Sequence, residues 1–304
     1  MKIKTMFFYK HSVVVLLLFC LIVISGINAC DSTDYEGQTL AVDNGFLDDE
    51  VVVMNSNLES TSGDIYLVGA GIYDITGPAA EIGMGGFAAD NQKTAGISLR
   101  LRSRAFVVGD GNKRVVFVSA DLWAMSQMVV LHVGKRIAAD PVLSKYYSLK
   151  NICISATDTH NSHAGFDGYF LYDVPPKGFI RDCFNVVVDG IFNSILLAHN
   201  NLEPGKILVN QGALDKCGWN RSPAMYENNP SWEKALYNSN TDKTMTLLKL
   251  VNLEGDGIGM INWFAVHPDS IGPENLMLSG DNKGHASYMF EKDMSTDYQS
   301  TKTF

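Results

Sequence analysis

The sequence predicts an α/β fold in which a mixed β-sheet carries helices packed on its faces. Continuous apolar, β-branched runs alternate with segments of helical spacing in the first half of the chain, a pattern typical of layered α/β proteins. The 304 residues, of which 46% are hydrophobic and 19% charged, have the composition of a globular protein with a sizeable core.

The N-terminal residues predict export from the cytoplasm. Three lysines precede the apolar run "VVVLLLFCLIVI", and "SGINA" then leads to the small residue Ala29. We therefore expect residues 1–29 to be a signal peptide, and the protein to be secreted or to reside in an endomembrane lumen. A signal anchor is the alternative, but the apolar run is short for a spanning helix, which needs roughly 20 apolar residues.

The composition changes after the signal. Residues 30–63 are acidic and polar, and we expect a flexible lead-in there, followed by a folded domain over residues 64–304. The net charge of the full chain is −9, and loss of the three N-terminal lysines makes it more acidic. This charge argues against nucleic acid as a partner.

Strands and helices follow one another along the domain. The predicted strands are "IYLVGAGIYDI", "RVVFVSADLW", "NICISAT", "KILVNQG", "MTLLKLVN" and "GIGMINWFAVH", and the predicted helices are "MSQMVVLHVGKRIAAD" and "GFIRDCFNVVVDGIFNSILLAHNNL". The last two strands are joined by Glu254-Gly255-Asp256-Gly257, which suits a hairpin. "SGDNKGHAS" predicts a loop that caps a further helix, with Asp281 or Asn282 as the N-cap.

Polar side chains follow several of these strands, where sheets of this class bind ligands. Asp121 follows "VVFVSA", Asp158, His160 and His163 follow the strand "NICISAT", and His267 ends "NWFAVH". A carboxylate and neutral imidazoles can ligate zinc, so a metal site is one interpretation. An ordinary polar loop and a core histidine bonded to backbone are the alternatives.

Other motifs carry less chemistry. The glycines of "GAGIYDITG" lack the dinucleotide-binding spacing, and Met125 and Met128 are at helical spacing typical of core. From the residues alone, the sequence predicts a secreted α/β protein and is compatible with a metal hydrolase.

Eight stretches, which follow one another along the chain in a fixed order, indicate a protein family. They are "YLVGAGIYDITGPAAEIGMGGFA", "RLRSRAFVV", "RVVFVSADLWAMSQMV", "GFIRDCFNVVVDGI", "NRSPAMYENNP", "TDKTMTLLKLV", "INWFAVHPDSI" and "SGDNKGHAS". Together they resemble the N-terminal catalytic portion of the neutral (non-lysosomal) ceramidase family, from residue 65 to about residue 291.

The resemblance implies an activity and partners. The family hydrolyses the amide of ceramide to sphingosine and a fatty acid, with one zinc ion held by two histidines, a glutamate and a tyrosine, and with a serine at the reacting centre. Ceramide and related sphingolipids would be the substrates, and a membrane surface their source.

The resemblance also assigns residues one by one. His267 matches a zinc histidine, and Asp158 stands where the family has its other zinc histidine, so these two are the expected metal ligands and zinc binding is expected to be weak. His160 matches a histidine that faces the substrate, and Arg221 matches an arginine near the active site. Ser162-His163 replaces a glycine-proline pair of the family's motif.

The sequence departs from the family after "SGDNKGHASYMFEKDM". The nucleophile serine, the glutamate and tyrosine ligands and the C-terminal β-sandwich have no counterpart in the 304 residues. We therefore expect the catalytic domain to be incomplete and the activity of this chain to be doubtful. A non-catalytic ceramide-binding protein or inactive paralogue is the alternative, and a different zinc amidase that uses Asp158 is a third.

Overall fold

The computed structural model describes residues 65–111 and 113–299. The predicted signal peptide, residues 1–29, and the predicted lead-in, residues 30–63, lie outside the described residues, and both stay predictions.

Strands and helices alternate as the sequence predicts. The strands are β1 (Tyr66–Asp74), β2 (Gly96–Ile97), β3 (Arg102–Asp110), β4 (Lys113–Ala120), β5 (Ile152–Ala156), β6 (Glu203–Ala213), β7 (Thr244–Asn252), β8 (Gly257–Phe264) and β9 (Met277–Leu278). The helices are α1 (Gln127–Ala139), α2 (Arg181–Asn200), α3 (Pro223–Glu227), α4 (Ser231–Lys234) and α5 (Asp281–Asp293), with a 3-10 turn at Leu143–Lys145. Within the described part of the chain, no helix combines the length and the apolar character needed to cross a bilayer.

Seven strands form one mixed sheet in the order β5-β4-β3-β1-β6-β7-β8, which confirms the predicted fold class. β4 and β5 are parallel and end level with each other, because Ala120 is paired with Ala156. Every other neighbouring pair in this sheet is antiparallel. The predicted hairpin between β7 and β8 is present, with Gly255 at a positive φ of 96° in its turn.

Helices α1 and α2 cover one face of the sheet. Helix α2 is amphipathic, and Val187, Ile191 and Ile195 form a buried stripe at a spacing of four residues. It lies against β1 and β3, and α1 packs against α2. Ser126 caps α1 by accepting a hydrogen bond from the backbone N–H of Val129.

Two glycines of β1 let α2 approach this face closely. A Cβ atom on Gly71 would lie 2.3 Å from the carbonyl oxygen of Ser194, and one on Gly69 would lie 2.3 Å from that of Ala198. The glycines of "VGAG" therefore serve helix packing, which agrees with their lack of a dinucleotide-binding pattern.

The sheet folds over so that its last strands cover part of its second face. Ala70 of β1, Phe106 of β3 and Ile261 of β8 belong to one buried cluster. A Cβ atom on Gly259 would lie 3.1 Å from the Phe106 ring and 3.2 Å from the Ala70 side chain, so β8 packs over β1 beside Phe106 of β3. This bend carries the end of β8 back toward β4 and β5.

A buried ion-pair network anchors α5 to the same face. Arg104 of β3 is 8% exposed and pairs with Asp121, at 2.8 Å, and with Glu291 of α5. Removing one member of such a group leaves a buried charge without its partner. Asp121, which follows β4 and was a candidate for chemistry by its position, is thus engaged in holding the fold.

Two local predictions are corrected by the structure, and one strand was not predicted. The run ending in "NWFAVH" leaves the sheet at Phe264, because the backbone turns there with Val266 N–H donating to the Phe264 carbonyl. The N-cap of α5 is Gly280, which has no side chain to cap the helix, rather than Asp281 or Asn282. Strand β3 begins within "RLRSRAFVV" and ends at Asp110, and no strand was predicted there.

We predict that Gly71→Ala lowers the free energy of unfolding by about 1–3 kcal/mol, because the added methyl group collides with the α2 backbone. Gly218→Ala is the matched control, since its nearest neighbour would be a Val266 methyl group at 3.8 Å, and it should change stability by less than about 0.5 kcal/mol. Urea unfolding followed by circular dichroism measures both. Equal stabilities for the two variants would show that α2 can move away from β1 at little cost.

Candidate metal centre

Asp158, His160 and His267 come together beyond the ends of β5 and β8. The Nε2 atom of His267 lies 2.9 Å from Asp158 Oδ2, and Nε2 of His160 lies 3.7 Å from Asp158 Oδ1. The two imidazole rings meet edge to face with centroids 4.7 Å apart. The sequence places Asp158 and His160 after one strand and His267 after another, and the structure brings the ends of these two strands to one point.

The backbone aims Asp158 into this cluster. Its N–H donates to the carbonyl of Leu122 at 2.9 Å, so the chain after β5 stays bonded to the chain after β4. Its φ is +69°, in the left-handed region that aspartate tolerates better than most residues. The turn exposes the carboxylate while the preceding strand stays in the sheet.

A glycine and an aromatic ring fix His160. A Cβ atom on Gly86 would lie 2.4 Å from the His160 ring, so any side chain there would displace the imidazole. Phe87 meets the ring edge to face at 4.5 Å. The stretch "GMGGFA" thus forms one wall of the cluster.

His267 is backed by a second carboxylate. Asp269 Oδ2 lies 3.7 Å from His267 Nδ1, and Arg221 Nη1 lies 3.6 Å from the same oxygen. Arg221, which the resemblance assigns to the active site, therefore lies behind His267 and reaches it through Asp269. Its side chain is mostly exposed.

Asp281 and Asn161 join the loop after β5 to the loop after β8. The Asp281 carboxylate, 2% exposed, accepts hydrogen bonds from the backbone N–H groups of Ser270 and Ile271, each at 3.1 Å. Asn161 donates to Asp281 Oδ2 at 3.4 Å and to the Ile271 carbonyl at 3.2 Å. Asn275 donates to Asn161 Oδ1 at 2.6 Å. We call these five residues the loop brace.

Further bonds extend from the loop brace to the cluster. Gln92 donates to the carbonyl oxygens of His160 and Asn275, at 3.2 and 3.3 Å. Asn282 donates to the carbonyl of His267 at 2.9 Å. Both histidines are therefore held through their backbones as well as their rings.

The charges of the cluster reinforce one another. Burial alone would raise the pKa of Asp158, but hydrogen bonds and charge from His160 and His267 lower it to about 2. The hydrogen bond to Asp158 is the main cause of a raised pKa at His267, against a smaller opposing effect of burial. The pair thus stabilises the fold above the ordinary pKa of Asp158, 3.8, and below that of His267, 6.5.

The donor set fits a zinc ion. One atom from each of Asp158, His160 and His267 lies within 4.8 Å of the others, and catalytic zinc commonly has three protein ligands drawn from histidine and carboxylate. The sequence predicted two ligands, Asp158 and His267, so the structure adds His160 as a third available donor. Nδ1 of His160 is buried without a hydrogen-bond partner in the described structure.

Other sequence candidates have structural roles. His163 is fully buried, its Nε2 atom donates to the Ile75 carbonyl, and burial lowers its pKa to about 4. Ser162 accepts a hydrogen bond from the Trp123 N–H. Ser270 accepts one from Asn282. None of these three supplies an atom to the metal cluster.

Sequence reasoning missed the residues that hold the site together. Asn161 lay within the polar loop and Asp281 was interpreted as a helix cap, yet both belong to the loop brace. Gly86 was one glycine among several in "GMGGFA". The one available signal was the density of hydrogen-bonding side chains in "DTHNSH" and "SGDNKG".

A cavity of about 740 Å³ borders the loop brace. Ser270, Asn282 and Tyr288 are among the residues that line it, together with the buried Arg104 and Glu291. Asp158, His160 and His267 are not part of its lining, so the metal cluster faces a different surface.

Comparison with known proteins gives a consistent set of matches. The family model described as neutral/alkaline non-lysosomal ceramidase, N-terminal, matches residues 66–304. The chain is 47% identical over 242 residues to a neutral ceramidase of Oryza sativa subsp. japonica, covering 79% of this chain and 30% of the rice protein. It is 41% identical over 255 residues to neutral ceramidase B of Dictyostelium discoideum, covering 83% of this chain and 35% of that protein.

A solved structure agrees. The crystal structure of neutral ceramidase from Pseudomonas aeruginosa superposes with a TM-score of 0.73 at 38% sequence identity, covering 79% of this chain and 38% of that one. The chain thus spans about a third of the length of the relatives it matches.

We predict that the pKa of the His267 imidazole in the metal-free protein lies above 6.5 and falls in Asp158→Asn, because the amide carries no charge to favour the imidazolium. NMR titration of the ring resonances measures both values. Asp90→Asn, which removes an exposed acid outside the cluster, should leave the pKa unchanged. A His267 pKa that is the same in the wild type and in Asp158→Asn would contradict the contact.

Proposed function

The chain belongs to the neutral/alkaline non-lysosomal ceramidase family, and we propose that its described domain carries a zinc site for hydrolysis of the ceramide amide to sphingosine and a fatty acid. The observation that carries this proposal is the convergence of Asp158, His160 and His267 within 4.8 Å. Ceramide and related sphingolipids are the proposed substrates, taken from a membrane surface.

Asp158, His160 and His267 would hold the ion. When bound, zinc supplies Lewis acidity toward the amide carbonyl oxygen. His267 must be neutral to donate its lone pair, so the proton that Asp158 stabilises on it competes with the metal. Asp269, with Arg221 behind it, orients the His267 ring from the Nδ1 side, as carboxylates commonly do for metal-binding histidines.

His160 has two candidate roles, which a binding measurement separates. Its place in the cluster supports a role for His160 as the third metal ligand. The family resemblance instead implies that His160 faces the substrate. A ligand is needed for metal affinity, while a substrate-facing imidazole is needed for turnover and leaves metal affinity nearly unchanged.

A second candidate function is ceramide binding without hydrolysis. Ser162 and Ser270, the serines nearest to the candidate residues in sequence, are engaged in hydrogen bonds that hold loops. Neither is paired with a base that would activate its hydroxyl group, as nucleophilic catalysis requires. This observation favours weak turnover by the chain on its own.

The proposed compartment is the secretory pathway, with the chain secreted or in an endomembrane lumen. It is supported by the signal-like composition of residues 1–29. The acidic net charge of −9 supports a partner other than nucleic acid.

We predict one-to-one binding of zinc in calorimetry, with affinity falling at least about tenfold in His267→Ala and in His160→Ala because each removes a ligand. His285→Ala is the matched control: it removes an exposed histidine of α5 that is outside the cluster. Unchanged affinity in His160→Ala alone would assign that residue to the substrate. Unchanged affinity in His267→Ala would refute the site.

For activity, we expect sphingosine release from a fluorescent ceramide far below that of a full-length relative, with any release abolished in His267→Ala. Asp158→His restores the histidine found in the family and should raise zinc affinity only slightly. Turnover equal to that of a full-length relative and lost on adding a chelator would contradict the expectation of weak turnover. Retention of the chain on ceramide-containing vesicles without turnover would support the binding function.

A further inference from the structure

An apolar loop projects from the chain between β5 and α2. It comprises residues 169–179, and we call it the tip loop. Phe170 is 89% exposed and Leu171 is 73% exposed, although large apolar side chains are usually buried. Neither residue has a role in the metal cluster or the loop brace. Adjacent apolar side chains that are exposed to this degree indicate a surface that contacts a partner or a membrane.

The backbone of the tip loop is held by its own hydrogen bonds. The N–H groups of Tyr172 and Asp173 donate to the Tyr169 carbonyl, at 3.1 and 3.0 Å. Gly178 N–H donates to the Asp173 carbonyl at 2.7 Å. The Tyr169 hydroxyl donates to Gln127 Oε1 of α1 at 2.8 Å. The apolar side chains therefore project from an ordered turn that is bonded to a helix.

The tip loop lies against the same wall as His160. A Cβ atom on Gly83 would lie 2.6 Å from the Cα atom of Pro176, which belongs to the tip loop. One on Gly86 would lie 2.4 Å from the His160 ring. Both glycines belong to the stretch "GMGGFA", so the tip loop and the metal cluster are placed by one short segment of the chain.

The remaining side chains of the tip loop match the chemistry of a lipid headgroup layer. Tyr169 and Tyr172, which flank the two apolar residues, are also exposed, and tyrosine favours the level of the headgroups. The charged residues of the loop are Lys177, which is exposed, and Asp173, which is buried. A lysine attracts the phosphate groups of lipid, whereas an exposed acid would be repelled by an anionic membrane surface.

We propose that the tip loop inserts into a lipid bilayer, with Phe170 and Leu171 below the headgroups and the two flanking tyrosines among them. A projection of two side chains suits a bilayer, which needs no complementary surface, better than a protein interface, which involves roughly 20–30 residues a side. The choice of a bilayer also rests on the proposed function, whose substrate is a membrane lipid. Because the chain is acidic, with a net charge of −9, apolar insertion rather than charge drives the binding.

Insertion would bring the metal cluster to the membrane surface, because the tip loop and His160 share a wall. Drawing a long-chain lipid out of a bilayer into water exposes its apolar chains at a large cost. A cluster held at the headgroup level shortens the path of the ceramide amide, so the tip loop acts in substrate access rather than in the reaction itself.

The test is sedimentation of the protein with phosphatidylcholine vesicles that contain no ceramide, without added zinc. The protein starts at Cys30, as the predicted signal cleavage leaves it, so that the apolar run of residues 1–29 cannot bind the vesicles. We expect the wild-type protein to bind. We expect Phe170→Ser and Leu171→Ser each to lower the partition coefficient at least about tenfold, because each removes a side chain that insertion buries.

The design separates insertion from failure to fold and from the proposed hydrolysis. Both side chains are exposed, so the variants should fold as the wild type does, which circular dichroism checks. Neither zinc binding nor turnover enters the measurement, so a protein that lacks both can still bind the vesicles. Likewise, a protein that binds zinc but not vesicles would contradict the insertion alone.

Leu253→Ser is the matched control. Leu253 is an exposed leucine in the turn between β7 and β8, at the opposite end of β8 from His267, and its replacement should leave the partition coefficient unchanged. The inference is overturned if the wild-type protein does not bind, or if Phe170→Ser and Leu171→Ser bind as it does. An equal loss in Leu253→Ser would also overturn it. So would a dimer, seen without vesicles, that Phe170→Ser dissociates, because the tip loop would then contact a second copy.

Discussion

The hydrogen bonds that converge on the Asp281 carboxylate are the interaction on which the candidate site depends. One buried carboxylate receives N–H groups from the loop after β8 and an amide from the loop after β5. Charge-assisted bonds of this kind are stronger than neutral ones. Asp281 is itself fixed at the start of α5, whose other end is anchored to β3 by the pair between Glu291 and Arg104. Each loop alone would be a polar surface turn, and together they place Asp158 against His267.

The loop brace is needed because β5 and β8, which precede the two loops, are not hydrogen-bonded to each other in the sheet. β5 and β8 are the two edge strands of the seven-stranded sheet and run in opposite directions through its ladder. Adjacent strands rotate by roughly 20–25°, and the sheet also folds over, so that β8 packs over β1 and its Trp263 ring reaches Phe117 of β4, the neighbour of β5. The glycines of β1 let α2 pack closely on the helix-covered face of the sheet. The opposite face is covered by the sheet's own last strands.

The sequence predicted the structural features that depend on residues close together in the chain. The buried stripe of α2, the apolar strands and the hairpin at Gly255 follow from periodicity and turn chemistry, and the structure has all three. The meeting of His160 with His267 depends on the bend of the sheet, a long-range feature that no local pattern encodes. Asp281 was mistaken for the N-cap because its position at a helix start is typical of one; its carboxylate accepts from the Asn282 N–H of the helix and also from the Ser270 N–H of the loop after β8.

The most direct measurement of this account is the zinc affinity of Asp281→Asn. The variant leaves Asp158, His160 and His267 unchanged but replaces the carboxylate at the centre of the loop brace. The account predicts a fall of about tenfold, the size typical of residues that support metal ligands, while Asp293→Asn at the exposed end of the same helix keeps wild-type affinity. Wild-type zinc affinity in a folded Asp281→Asn protein would contradict this account, because the loops after β5 and β8 would then converge without the Asp281 carboxylate.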